Sequence, residues 1–288
     1  MKAKYWLLIV FVLLLPLTVN ASETEESIYY TNNNGISMSE REYNNLLNLG
    51  FKDFEIANMD IKTFNENKDY DDAFLEVEAH RYYRTEYSAI DGSVISNVEI
   101  SKQEFDNAKL NCRGDGHSMT SYKDLTSTII YVNSNAKRYR ASLTWLNIPS
   151  VRSYDIIGIG FSDGNINVAS SVPSLSSTYC TSANNCTTVN SGYAYKNTIS
   201  GSGASFPLPS GIIISLYTTF YYNIAKNSGV GTITYLRMAA DYAHATSTVT
   251  LNQSKQYGLG YVGLYLDASI MSYYDAMDPA VATWSGSW

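Results

Sequence analysis

Few residues in this 288-residue chain are of the types that act as acids, bases or nucleophiles. Histidine occurs three times, as His80, His117 and His244, in three separated contexts. The sequence contains no Gly-x-Ser-x-Gly elbow, His-Glu-x-x-His helix, phosphate-cradling glycine loop or dinucleotide fingerprint. A thiol nucleophile needs an imidazole beside it to form thiolate. Cys112 has His117 five residues on, a spacing that does not specify such a pair, so Cys112 reads as an unpaired thiol. Cys180 and Cys186 enclose Thr-Ser-Ala-Asn-Asn and are expected to close a small disulfide loop outside the cell. The run Asp163-Gly-Asn165-Ile-Asn167 places oxygens at alternate positions, as a calcium loop begins. It lacks the glycine at the sixth position and the glutamate at the twelfth, and so reads as a turn between strands. No metal and no cofactor is expected. Beyond Ser118 the acids are Asp124, Asp155, Asp163, Asp241, Asp267, Asp275 and Asp278. On a strand Asp241 and His244 point to opposite faces. A secreted hydrolase is therefore the weakest reading, and a non-enzymatic protein is expected.

Aromatic rings are the other group able to recognise a partner. Tyrosine occurs 25 times against nine phenylalanines and four tryptophans. Tyr217, Tyr221, Trp284 and Trp288 are the binding candidates, on a Tyr-rich strand and in the terminal Trp-Ser-Gly-Ser-Trp. Amphipathic rings suit a membrane interface, and ring faces stack on sugars. The expected partners are accordingly a bacterial membrane or cell-wall glycan. The alternative for the same rings is packing in the core and over the open end of a sandwich. Net charge of −7 argues against a nucleic-acid partner.

These residues must be positioned by a chain that begins with an address. Lys2 and Lys4 precede an apolar run from Tyr5 to Leu15, then Pro16, with Val19 and Ala21 as small residues at −3 and −1. This is the pattern of a secretory signal peptide over 1–21, cleaved after Ala21 to leave a secreted, extracellular chain. Charge then divides the sequence. Residues 22–117 hold 20 acidic and nine basic residues, and 118–288 hold seven and nine. The step predicts an acidic small α+β unit over 22–117 and a Ser/Thr/Tyr-rich antiparallel β-sandwich over 118–288.

In the first unit Ser39-Glu-Arg-Glu42 is a capping box that opens a helix ending at Gly50. Phe51, Phe54, Ile56 and Met59 carry a second short helix, and Thr63 caps a third turn. Residues 73–87 then alternate, with Leu75, Val77, Ala79, Tyr83 and Tyr87 on one side. An Asp91-Gly92 turn leads to Val94–Ile100, making a hairpin. Ser101 to Glu104 is a second capping box. In the second unit Tyr139, Ala141, Leu143 and Trp145 share one face, and Arg140, Ser142 and Thr144 the other. A turn at 133–136 pairs this strand with Leu125–Val132. The apolar run Tyr154–Phe161 reads as a buried central strand. Further strands are expected over 189–196, 212–224, 231–239, 242–251 and 257–266, with one short helix over 267–277. Strands at this spacing, without long intervening helices, predict a mainly β fold: an antiparallel β-sandwich preceded by a small unit of short helices and a hairpin.

Three stretches carry a resemblance: 152–159 (Arg-Ser-Tyr-Asp-Ile-Ile-Gly-Ile), 242–256 (Tyr-Ala-His-Ala-Thr-Ser-Thr-Val-Thr-Leu-Asn-Gln-Ser-Lys-Gln) and 272–277 (Ser-Tyr-Tyr-Asp-Ala-Met). Together they resemble a family of secreted proteins from Gram-positive bacteria that includes a large bacteriocin of the geobacillin kind. The resemblance covers about residues 118–280 and leaves the acidic unit outside it. It implies a secreted, bacteriocin-like antibacterial protein acting at cell envelopes, and it transfers no active-site residue. A surface or carbohydrate-binding module is the alternative.

Overall fold

A computed structural model describes residues 27–88, 90, 93–111, 120–148, 151–161, 165–168, 173–182 and 185–288. The expected signal peptide, the turn at 91–92, Cys112, His117 and Asp163 lie outside the described residues.

The chain opens with a short hairpin, β1 (Tyr30–Thr31) and β2 (Ser37–Met38), and three helices, α1 (Glu40–Asn48), α2 (Asp53–Ala57) and α3 (Ile61–Asn67). Ser39 and Glu42 form the capping box of α1. Asp60, not Thr63, caps α3, because its carboxylate sits one residue before the helix and accepts from the backbone of Lys62 and Thr63. Strands β3 (Phe74–Tyr87) and β4 (Val94–Ile100), helix α4 (Lys102–Asn111), β5 (Thr120–Asn133), β6 (Ala136–Leu146), β7 (Tyr154–Phe161), β8 (Ile166–Val168), β9 (Ser174–Ser182) and β10 (Asn185–Val189) follow. Then come β11 (Ala194–Thr198), β12 (Gly201–Pro207), β13 (Ser215–Lys226), β14 (Tyr235–Ala245), α5 (Leu251–Ser254), β15 (Tyr257–Gly260), β16 (Gly263–Leu266), a 3-10 turn at Met271–Tyr273, β17 (Tyr274–Ala276) and β18 (Ala280–Ser285).

Two antiparallel sheets face each other. The first runs β10-β9-β13-β6-β5-β3-β4, with β8 also on β13; the second runs β11-β12-β7-β14-β17, with β18 also on β14. Alternation decides which face is buried. Tyr139, Ala141, Leu143 and Trp145 of β6 point into one core with Ile157 and Ile159 of β7 and Met238, Ala240 and Tyr242 of β14. The protein is thus a mainly β, antiparallel sandwich.

The hairpin from the acidic part belongs to this sandwich. Strand β3 pairs with β5 from Phe74↔Tyr131 to Glu86↔Thr120. The charge step at residue 117 therefore falls between two neighbours of one sheet. What sits apart is the helical segment, whose Leu46, Leu49, Phe51 and Ile56 pack with Ile130, Val132 and Tyr221 on the outer face of the first sheet.

Other departures have local causes. A bulge between Leu75 and Val77 shifts the register of β3, so Leu75 turns outward with Glu78 while Val77 and Ala79 stay against the core. The expected strand over 189–196 is interrupted; β10 ends at Val189 and β11 starts at Ala194, with Gly192 between them at φ 81°. The two strands expected on either side of Asp241 are one, β14, because Asp241 is buried under the β15–β16 hairpin and bonded to it. That hairpin replaces a single strand over 257–266. The expected helix over 267–277 is a turn, a short 3-10 segment and β17, which pairs with β14.

Candidate functional site: a groove on the outer sheet face

Polar side chains at alternate positions of central strands identify the outward face. Glu78, His80 and Tyr82 of β3 lie beside Asp124, Thr126 and Thr128 of β5 and Arg140, Ser142 and Thr144 of β6. They floor a groove of about 550 Å³. Lys52, Asp53 and Phe54 of the helical segment wall one side, and Lys102, Phe105 and Lys109 of α4 the other.

His80 lies at the centre of the floor. Its Nδ1 is 2.9 Å from Asp124 Oδ1, and its Nε2 is 3.5 Å from Glu78 Oε2. The Thr126 hydroxyl lies 3.1 Å from Nδ1, and the ring stacks on Tyr82 with centroids 5.5 Å apart. Asp124 first, and Glu78 second, stabilise the imidazolium and raise its pKa to about 9. His80 is therefore charged at neutral pH and donates from both nitrogens, which suits a hydrogen-bonding cation rather than a general base. Tyr82 also meets Phe105 at 5.3 Å, and Phe54 meets Tyr217 edge-on at 4.8 Å.

Beneath the floor a buried ion pair anchors the helical wall. Arg140 donates to Glu55 Oε2 at 2.7 Å, to the Leu49 carbonyl at 2.9 Å and to the Tyr217 hydroxyl at 3.2 Å. Glu55 also accepts from Thr219. A buried pair is tolerated only when its remaining donors and acceptors are satisfied, as they are here. The wall is thus held in register with the sheet.

Of the sequence-predicted binding residues, Tyr217 alone lines this groove. Tyr217, Tyr221, Trp284 and Trp288 are 8, 6, 8 and 8% exposed, which corrects their reading as exposed contact rings. Tyr221 packs under the helices, beneath Arg138 at 4.4 Å. Trp284 and Trp288 close over the buried Lys137 ammonium, at 4.1 and 5.6 Å, while Glu76 pairs with it at 2.5 Å. Cys180 and Cys186 are disulfide-bonded across the β9–β10 hairpin.

His244 is elsewhere, fully buried between the sheets. Asp155 accepts from its Nδ1 at 3.1 Å, from the Tyr242 hydroxyl and from the Ala245 backbone at 2.9 Å. Asp241 points the opposite way, to the outer face of the second sheet, where burial raises its carboxyl to about 8 against the backbone N–H groups of Leu264 and Tyr242. Among the described residues no group of three His, Cys, Asp or Glu is placed to hold a metal, and no helix is long and apolar enough to cross a membrane.

Sequence reasoning missed His80 because its partner Asp124 lies 44 residues away. The signal was present as spacing. Glu78-x-His80-x-Tyr82 and Asp124-x-Thr126-x-Thr128 are polar tracks at period two on strands whose other faces carry Val77, Ala79 and Tyr83, and Leu125 and Ile129.

No family model and no curated protein matches the chain. Among solved structures it is similar to the pilus backbone RrgB from Streptococcus pneumoniae, at 6% identity over 54% of this chain and 42% of that one, with a TM-score of 0.28. It is similar to the collagen binding domain of Erysipelothrix rhusiopathiae surface protein RspB, at 5% identity over 58% and 66%, with a TM-score of 0.27. The RrgA Jo.In complex matches at 9% identity over 71% and 93%, with a TM-score of 0.29. The chain spans less than half the length of the pilus backbone structure. At such TM-scores the likenesses assign no function and add nothing to the sandwich visible in the strand order.

Proposed function

We propose that this is an extracellular, non-enzymatic binding protein that takes a neutral glycan of a cell surface in the groove. The observation that carries this reading is the groove's lining. Its floor offers hydroxyls of Thr126, Thr128, Ser142 and Thr144 and the Tyr82 ring around a charged His80 flanked by two carboxylates, and its helical wall offers the exposed ring of Phe54. Paired hydroxyls of a sugar are matched by such alternating donors and acceptors, and its apolar faces by the rings. The charges lining the groove nearly balance, so a neutral polymer fits better than an anionic one. Titration calorimetry with solubilised cell-wall polysaccharide tests this. Phe54→Ala and Tyr82→Ala should each weaken binding about tenfold, on the order of 1 kcal/mol per ring, without moving the melting temperature. Unchanged binding by the double variant sinks the reading.

Bacteriocin-like action at the envelope is a second reading, supported by the resemblance. Parts of its three stretches meet on the second sheet, where 154–159 of β7, 242–245 of β14 and 274–276 of β17 lie on neighbouring strands, while 246–256 continue into the loop and helix α5. Growth inhibition of Gram-positive indicator strains by the purified protein is its test; strains that grow unaffected over a broad panel reject it.

A further inference from the structure

A second surface lies at the end of the sandwich remote from the groove. Ile199, in the turn between β11 and β12, is 97% exposed, and Tyr261 and Val262, at the tip of the β15–β16 hairpin, are 56 and 59% exposed. Ile199 and Tyr261 rim a depression of about 570 Å³ whose polar lining includes Asn167, Asn197 and Asn227. No carboxylate is among its described lining residues. Two cations stand beside it. The Arg237 guanidinium lies 4.5 Å over the Tyr261 ring and donates to the Tyr261 carbonyl. Lys226 ends β13 next to Asn227, at the same end of the sheet, with its ammonium 5.7 Å over the Trp288 ring. Among the described residues neither cation is in an ion pair.

The tips are presented rigidly. Gly160 of β7 lies so close to Gly260 of the hairpin that a Cβ there would meet the Gly260 oxygen at 2.0 Å. Asp241 accepts from the Leu264 backbone at 3.0 Å, holding the hairpin on the sheet. The apolar side chains are thus fixed outward at turn tips, where water exposure is a standing cost that contact with another phase removes.

We infer that this end of the molecule docks on an anionic lipid surface, with Ile199, Tyr261 and Val262 entering the interface. Separate apolar tips flanked by cations suit a headgroup layer, where tyrosine rings are favoured and each nearby Lys or Arg adds attraction. The carboxamides of the depression are bonded within the protein, Asn167 donating to Asn227 at 2.7 Å and Asn197 accepting from Ser202 at 2.5 Å, and give it a polar, uncharged floor. The near edge of the groove floor, Arg140, pairs with Tyr221, five residues from Lys226 on β13 and roughly 17 Å at the strand rise, so the groove lies on the sheet face away from the seated end.

Co-sedimentation of the purified protein with vesicles tests the inference. Vesicles of phosphatidylcholine with phosphatidylglycerol should bind the wild-type chain at low salt, and pure phosphatidylcholine should bind it several-fold less. Ile199→Ser, Tyr261→Ser and Val262→Ser should each lower the partition coefficient about tenfold. Lys226→Gln with Arg237→Gln should remove the preference for the anionic lipid while the melting temperature holds. Polysaccharide titration run alongside keeps this surface distinct from the groove, since the tip variants should leave it unchanged. A wild-type chain that stays in the supernatant with both vesicle types overturns the inference. So does a triple tip variant, folded by its melting curve, that sediments as the wild type does.

Discussion

Asp275→Ala is the perturbation that most directly tests how the two sheets are joined. Lys123, on β5 of the first sheet, is fully buried, and its Nζ donates to Asp275 Oδ2 of β17 at 2.7 Å. Asn97 of β4 donates to Asp275 Oδ1 at 2.9 Å, and the Thr85 hydroxyl of β3 donates to Asn97 Oδ1 at 2.9 Å. One carboxylate thereby links three strands of the first sheet to the second. Removing it leaves an ammonium with no anion in an apolar, Trp145-lined site. Breaking a buried pair from one side costs about 3–5 kcal/mol, whereas replacing both partners by apolar side chains of similar volume costs far less. For a chain of this size that loss corresponds to a fall in melting temperature of roughly 6–20 °C. Urea unfolding followed by tryptophan fluorescence measures it, with Trp145 5.5 Å from Lys123 as the local reporter. Asp275→Ala should be the worst variant, and Lys123→Met with Asp275→Leu should recover most of the loss. If Asp275→Ala costs less than about 1 kcal/mol, or the double variant is no better than the single, the pair does not join the sheets as described.

Three further outcomes follow from other sites. The folded pKa of His80 is raised to about 9 from the ordinary 6.5, so its contribution is complete below about 6.5 and is lost as pH rises through 9; His80→Gln should flatten the stability–pH curve over that window. Asp241 is an acid with a raised folded pKa, about 8 against 3.8, so folding favours its protonated form and stability falls as pH climbs between those values; Asp241→Asn should abolish that part of the slope in pH-dependent urea melts. Trp288→Ala should cost about 3–5 kcal/mol in thermal unfolding, because the ring closes the core end over Lys137 and its Nε1 donates to the Ser134 carbonyl at 3.2 Å; a loss of activity with an unchanged melting temperature would instead restore Trp288 as a contact residue.

Period and local chemistry in the sequence were enough to determine the sandwich class, the two faces of β6, the buried β7, the α1 cap and the opposed directions of Asp241 and His244. Each of these depends on residues within a few positions of one another, where backbone geometry dictates orientation. Tertiary structure alone decided the rest. His80 meets Asp124 44 residues away, and Lys123 meets Asp275 152 residues away, so neither pairing has a local signature. The charge step at 117 describes surface composition, while strand pairing put β3 beside β5. An aspartate in the middle of β14 reads locally as a break, yet Asp241 sits within one strand because the hairpin above supplies its hydrogen bond. Aromatic residue type, likewise, does not separate Trp284 and Trp288, folded inward over a buried lysine, from Tyr261, left outward at a hairpin tip. Which ring meets water is settled by what the rest of the chain brings against it.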